Sequence, residues 1–192
     1  MNLWCPMHSE YLYPKIHDDI VQDFCNKCKE LNYMNNSSLE SMKWYWGEVQ
    51  WVGTFFDEVL VSLSGIHRFP ELGEDAFRMM FRGVTLPGIK VSDVDFLRTR
   101  PIRRHSNKHG SFKKFVNFQQ MPLQQKWGYE QNENAIFYVT FNIDPKISTG
   151  AYTKLGDKSF KMIRAVRRHC KNLAYHGRMN IYNVEQEVYV LL

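Results

Sequence analysis

Hydrophobic residues recur every three or four positions early in the chain, where Ile16, Ile20, Phe24, Cys28 and Leu31 form one stripe. Pro14 stands near its start, where a missing N–H costs least, so the spacing predicts a helix. The run NNSS breaks the pattern, and Ser37 or Ser38 can cap a second helix. That helix would carry Val49, Val52, Phe55, Phe56, Val59, Leu60 and Leu63 and stop near Gly65. From Phe77 onward the texture changes to short apolar or aromatic runs between turn signals. FRMMFRG ends a first strand at Gly83, LPG follows as a turn, and NAIFYVTFNI between NEN and DP is the clearest strand. MIRAVRRHCKNLAY has helical spacing, and NVEQEVYVLL reads as a final strand. Helices first, then strands with helices interposed, is an α+β pattern.

At 192 residues the chain fits a single domain, with a helical part over 1–66 and a strand-rich part over 67–192. Its 44% hydrophobic, 23% charged and 15% aromatic content argues for packed structure throughout. No stretch reaches the roughly 18 apolar residues of a membrane helix, and MNLWCPMHSEYL lacks an export signature. Cys5, Cys25, Cys28 and Cys170 suit a reducing compartment, so a cytoplasmic protein without a membrane partner is expected.

The net charge of +5 is uneven. Seven Lys or Arg and no acid lie between Arg98 and Lys114, and six more without an acid between Lys158 and Lys171, on an otherwise acidic body. Such segments suit a nucleic acid or the pyrophosphate of a dinucleotide, or they are solvated helix faces.

Three short elements carry chemistry. Phe81-Arg82-Gly83 closes a predicted strand, and an Arg beside a Gly can hold a phosphate or ribose closely. In Val184-Glu185-Gln186-Glu187-Val188 the period of two places Glu185 and Glu187 on one face, where two acids can take different tasks. Between them lie Ser106, before GSFKKFVNF and the strand AIFYVTF, and Ser148, in Ser148-Thr149-Gly150. Each of these elements also has an ordinary turn or edge-strand reading.

In that order the motifs resemble the arginine-serine-glutamate clan of mono-ADP-ribosyltransferases, most of all the small transferases of T-even-type phages. The resemblance implies a core of two packed sheets and transfer of ADP-ribose from NAD to a protein acceptor, on an arginine, with nicotinamide released. The acceptor would be a host or cellular protein, including nucleic-acid-associated ones. It implies that Glu187 stabilises the oxocarbenium-like state and holds the ribose, with Ser106, or alternatively Ser148, orienting it. Glu185 would act on the incoming guanidinium, and Arg82 with Gly83 would bind NAD, with Phe115 stacking on nicotinamide. No metal is implied, although Cys5, His8, Cys25 and Cys28 offer a zinc-like set or are buried and free thiols. The alternative reading is a nucleic-acid-binding module on the basic 98–114 segment, with Phe112, Phe115 and Phe118 stacking bases.

Overall fold

The structure is a computed structural model that describes residues 7–31, 38–56, 58–86, 110–142 and 173–192; of 110–118 and 142 it describes the backbone alone. Its elements are β1 (Met7–Leu12), α1 (Asp18–Glu30), β2 (Val49–Phe56), β3 (Val59–Arg68), β4 (Ala76–Thr85), α2 (Gly110–Gln131), β5 (Ile136–Asn142), β6 (Leu173–Ile181) and β7 (Val184–Leu191). A short 3-10 turn, Pro70–Leu72, precedes β4.

All seven strands form one sheet in the order β1-β2-β3-β4-β5-β7-β6. The architecture is α+β, but the expected pair of packed sheets is replaced by a single sheet with helices packed on it. Neighbours run antiparallel except β4 and β5, which are parallel.

The second expected helix is the hairpin β2–β3. Nearly every residue of both strands is buried. A strand covered on both faces reads as a continuous apolar run, from which a helical spacing can be picked out. The turn between the paired Phe56 and Val59 has no glycine to announce it; Glu58 there adopts φ +67°. The first helix, β5 and β7 lie where the pattern puts them, while β4 runs past Gly83 to Thr85. Strands β1 and β6 were not anticipated, and Leu173–Tyr175, read as the end of a helix, open β6.

Of the expected stripe only Phe24 and Cys28 are buried, and with Val21 and Cys25 they pack with Trp44, Trp51, Leu63, Phe81 and Val84 in one core, whereas Ile16, Ile20 and Leu31 are exposed. Met121 of α2 packs on the other face with Ile66, Phe77, Met79, Phe137 and Tyr189. Asp18 in the first turn of α1 fixes the chain that follows the helix. Its carboxylate accepts from Trp44 Nε1 at 2.6 Å, Tyr45 OH at 2.6 Å and the Lys15 N–H at 2.8 Å. Those bonds hold its pKa below the usual carboxylate range. Among the described residues no helix is long and apolar enough to cross a membrane.

Candidate functional site

The register of β3 and β4 locates the irregularity around which the site is built. His67 pairs with Arg78, Gly65 with Phe81 and Leu63 with Val84. At each step β3 advances two residues and β4 three, so β4 holds two one-residue bulges. The bulges place Met80 at φ +57° and Arg82 at φ +53°, left-handed conformations that cost about 1–3 kcal/mol each outside glycine. Gly83 serves this geometry: a Cβ there would stand 3.3 Å from the Met80 carbonyl oxygen. The bulges also redistribute side chains. Phe77, Met79 and Met80 pack on the α2 side, whereas Phe81 and Val84 join the α1 core.

Past the bulges β4 loses its second neighbour. It pairs with β5 only from Ala76↔Ile136 to Met79↔Val139, while β5 continues against β7 as far as Asn142↔Gln186. Among the described residues, Phe81–Val84 therefore have β3 as their one neighbouring strand and leave their other edge open inside the sheet. The first bulge is pinned from α2, where Gln124 Oε1 accepts the Met80 N–H at 3.0 Å. Gln124 Nε2 donates to Ser64 Oγ at 2.8 Å, and Ser64 donates to Gln120 Oε1. Gln120 Nε2 donates to Thr54 Oγ1 at 3.0 Å, and Thr54 bonds Ser9 Oγ at 2.8 Å.

On the α1 side of the same strands lies a second polar group. Arg78 is 8% exposed, and its Nη2 donates to Gln186 Oε1 at 2.7 Å. Gln186 sits opposite Asn142, beyond the last β4–β5 pair, so this bond crosses the point where the strands part. Nε and Nη1 of Arg78 are buried with no hydrogen-bond partner among the described residues. The rings of Phe69 and Phe81 lie 5.8 and 5.4 Å from the guanidinium carbon. Burial pushes the Arg78 pKa down to about 10, which leaves it charged at neutral pH.

His67, opposite Arg78 and 3% exposed, donates from Nδ1 to the Arg68 carbonyl at 2.5 Å. A carbonyl can only accept, so Nδ1 carries the proton and Nε2 presents a lone pair. Nε2 is also buried without a partner among the described residues. Burial, and then the Arg78 charge, push the His67 pKa down to about 4. Trp46 packs against His67, Phe81 and Tyr182, and Lys43 Nζ lies 4.4 Å above the Trp46 ring and 4.8 Å above Tyr182. Tyr182 and Asn183 form the two-residue β6–β7 turn at φ +53° and +61°. That mirror-image turn favours Asn or Gly, and a bulky aromatic at positive φ is an outlier that places a ring beside Trp46.

Of the residues singled out from sequence, those of the Arg-Gly and Glu-Gln-Glu motifs lie on different strands, β4 and β7. Arg82 and Gly83 are exposed on the open stretch of β4. Glu185 and Glu187 share a face of β7, as the period of two requires, but β5 separates β7 from β4. Glu185 is exposed; Glu187 is half-buried, 3.6 Å from Arg178 Nη2, and accepts from Tyr189 OH at 3.0 Å. Ser106 and Ser148 lie outside the described residues. Phe115 is in α2, its side chain likewise outside them. The basic segment enters the described chain only at Gly110. Cys5 is also outside; His8 stacks on Phe55, whereas Cys25 and Cys28 are in the core, with Cys25 Sγ donating to Met42 Sδ at 3.2 Å. Burial pushes the Cys25 thiol up to about 11. Among the described residues no group of three or more His, Cys, Asp or Glu converges on a metal position.

No protein-family model and no curated protein matches the sequence. Solved structures match along nearly the whole chain. An acetyltransferase of the GNAT family from Streptococcus pneumoniae superposes with a TM-score of 0.51 at 8% identity, covering 96% of this chain and 98% of that one. A protein from Salmonella typhimurium assigned as an acetyltransferase, solved with its cofactor acetyl-CoA, gives 0.50 at 8% identity over 97% and 93%. The aminoglycoside 6'-N-acetyltransferase of Enterococcus faecium gives 0.53 at 12% identity over 95% of each chain. These likenesses establish the fold as that of the GNAT acetyltransferases.

They also overturn the expected assignment. The arginine-serine-glutamate resemblance rested on short motifs, and the single seven-stranded sheet lacks the two-sheet core that it implies. NAD as co-substrate, ADP-ribosyl transfer to a protein arginine and the phage-transferase likeness fall with it. The nucleic-acid module gains no support.

Proposed function

We propose that the chain is an N-acetyltransferase that moves an acetyl group from acetyl-CoA to an amine. The observation that carries this reading is the open edge of Phe81–Val84, created where β5 leaves β4 after Met79↔Val139. An extended, amide-containing donor can add to such an edge as a strand would, through main-chain hydrogen bonds. The bulges keep the edge from closing, and exposed Arg82 puts positive charge beside it for the donor's phosphates. The amine nitrogen would attack the thioester carbonyl, forming the C–N bond as the C–S bond breaks; the thiol leaves and the nitrogen loses a proton. The fold shared with acetyltransferases, one of them holding acetyl-CoA, supports the same choice of donor. Cytoplasmic residence accompanies this reading, since acetyl-CoA is an intracellular metabolite.

Calorimetric titration of the full chain with acetyl-CoA tests the reading, followed by thiol release with a panel of amines. Saturable binding that free CoA competes for is expected, with no heat from NAD. A flat acetyl-CoA titration overturns it.

A further inference from the structure

Past Met79, β4 must hold Met80 and Arg82 in left-handed conformations while Phe81–Val84 have β3 as their one neighbouring strand among the described residues. Its position there depends on side chains. On the α2 face Gln124 supplies a hold at the Met80 N–H. On the α1 face the corresponding link is the bond from Arg78 Nη2 to Gln186 Oε1 at 2.7 Å. Arg78 is level with Tyr138 on β5, and Tyr138 is level with Val190 on β7, yet the bond goes to Gln186, four residues along β7 from Val190. At about 3.4 Å per residue that is roughly 13 Å toward the open end. Gln186 is level with Asn142, three residues beyond the last β4–β5 pair at Val139. The arginine side chain thus starts on the paired part of β4, passes the point where β4 and β5 separate, and ends on the strand beyond β5.

A buried arginine is a costly way to make one hydrogen bond. Nε and Nη1 have no partner among the described residues, and Gln186 carries no charge to offset the lost hydration. An apolar pair would be at least as stable here, so stability does not account for the two residues. What the arginine supplies is reach to a fixed anchor. Its guanidinium is a planar group on a long side chain, and the rings of Phe69 and Phe81 at 5.8 and 5.4 Å limit where it can swing. Gln186 is 8% exposed and lies where β7 is paired on both sides, with Asn142 of β5 and Met179 of β6.

We propose that Arg78 and Gln186 are positioning residues whose bond is a tie that fixes the width of the gap between β4 and β5, and through it the affinity of the open edge for the acyl donor. The word donor rests on the acetyltransferase reading; the tie does not. A strand-like guest needs a gap of about twice the 4.8 Å spacing of paired strands. A gap held at one width presents the β4 edge ready for hydrogen bonding, whereas a gap that varies must be ordered at the moment of binding, at the expense of affinity.

The first arm of the test is calorimetric titration of the full chain with acetyl-CoA. Arg78→Met and Gln186→Leu should each weaken binding by about tenfold, the scale of one hydrogen bond to a charged group. The double variant should bind no more weakly than either single one, because both changes remove the same tie. It should also be the most stable of the three, so it carries the test should a single variant fail to fold. Gln186→Glu keeps the acceptor oxygen at the same reach and should bind as the parent does. Undiminished binding by the folded variants, losses that add in the double variant, or affinity that recovers with the stability of the double variant overturns the proposal. So does a loss in Gln186→Glu equal to that in Gln186→Leu. The second arm needs no donor. Spin labels at Arg82→Cys and Glu185→Cys, with Cys5→Ser and Cys170→Ser, should give a narrow distance distribution that broadens or shifts on Gln186→Leu or in the double variant. An unchanged distribution overturns the tie even where acetyl-CoA binds normally to the parent. A responsive distribution in a parent that does not bind acetyl-CoA defeats the acetyltransferase reading and leaves the tie standing.

Discussion

On the α2 side of β3 and β4, Ser64, Gln120, Gln124 and Thr54 are fully buried, and each has its hydrogen-bond partners within the protein. On the α1 side, Arg78 and His67 are almost as buried, yet three of their nitrogen atoms have no partner among the described residues. The two groups share strands and differ in purpose. A closed network ties α2 to the sheet and holds the Met80 bulge, which is a structural task. An open one lowers stability by about 1–3 kcal/mol per orphaned group.

Mutations on the two sides should therefore move stability in opposite directions. The largest effect is expected from Gln124→Ala, which leaves the Met80 N–H without an acceptor and opens a cavity. A loss of about 4 kcal/mol is expected, read as a lower urea midpoint. Stability within 1 kcal/mol of the parent would mean that the bulge does not depend on α2.

Next comes acid sensitivity. His67 stays neutral in the folded chain down to about pH 4, whereas an unfolded histidine titrates near 6.5. Its contribution is thus complete above about pH 6.5 and declines as pH falls toward 4, by about 3 kcal/mol in all. Unfolding measured between pH 7.5 and 4 should show this slope in the parent and lack it in His67→Phe. Parallel profiles would place His67 in contact with water.

A gain is predicted for Arg78→Met combined with Gln186→Leu. Exchanging an incompletely paired buried cation and its partner for apolar side chains should raise stability by about 1–2 kcal/mol. A destabilised double variant would show that the fold itself satisfies Arg78. The smallest effect concerns Asp18, whose accepted hydrogen bonds depress its pKa. That stabilisation is present above the unfolded value near 3.9 and is lost as pH falls through the lower folded value. Asp18→Asn should flatten the dependence of Tm on pH below 4, and an unchanged curve would detach Asp18 from the Trp44–Tyr45 segment.

The sequence makes part of this legible. Helix α1 and strands β5 and β7 show in the hydrophobic pattern because each presents a single buried face or a bounded apolar run. The β2–β3 hairpin does not, since burial on both faces removes the period of two. Arg82, the arginine the pattern singles out, is at the surface on the open stretch of β4, whereas Arg78, flanked by Phe77 and Met79, is buried. An arginine inside an unbroken apolar strand was the available signal. In Glu185-Gln186-Glu187 the alternation was read correctly, yet the glutamates drew the inference away from the middle residue, which points to the opposite face and meets Arg78. His67 and Tyr182 could not be found from spacing, because bulges and a turn of unusual composition bring them together.

The arithmetic of β4 constrains how its length can change. Two extra residues relative to β3 leave the far end of the strand in its original parity, since side chains alternate with a period of two. Val84 thus still faces the α1 core after both bulges. Removing one residue between Met80 and Arg82 would turn everything on one side of the cut to the wrong face, whereas removing two would restore a regular, continuous strand. Insertions and deletions in this stretch are therefore tolerated only in pairs, and the paired deletion is the one that seals the open edge.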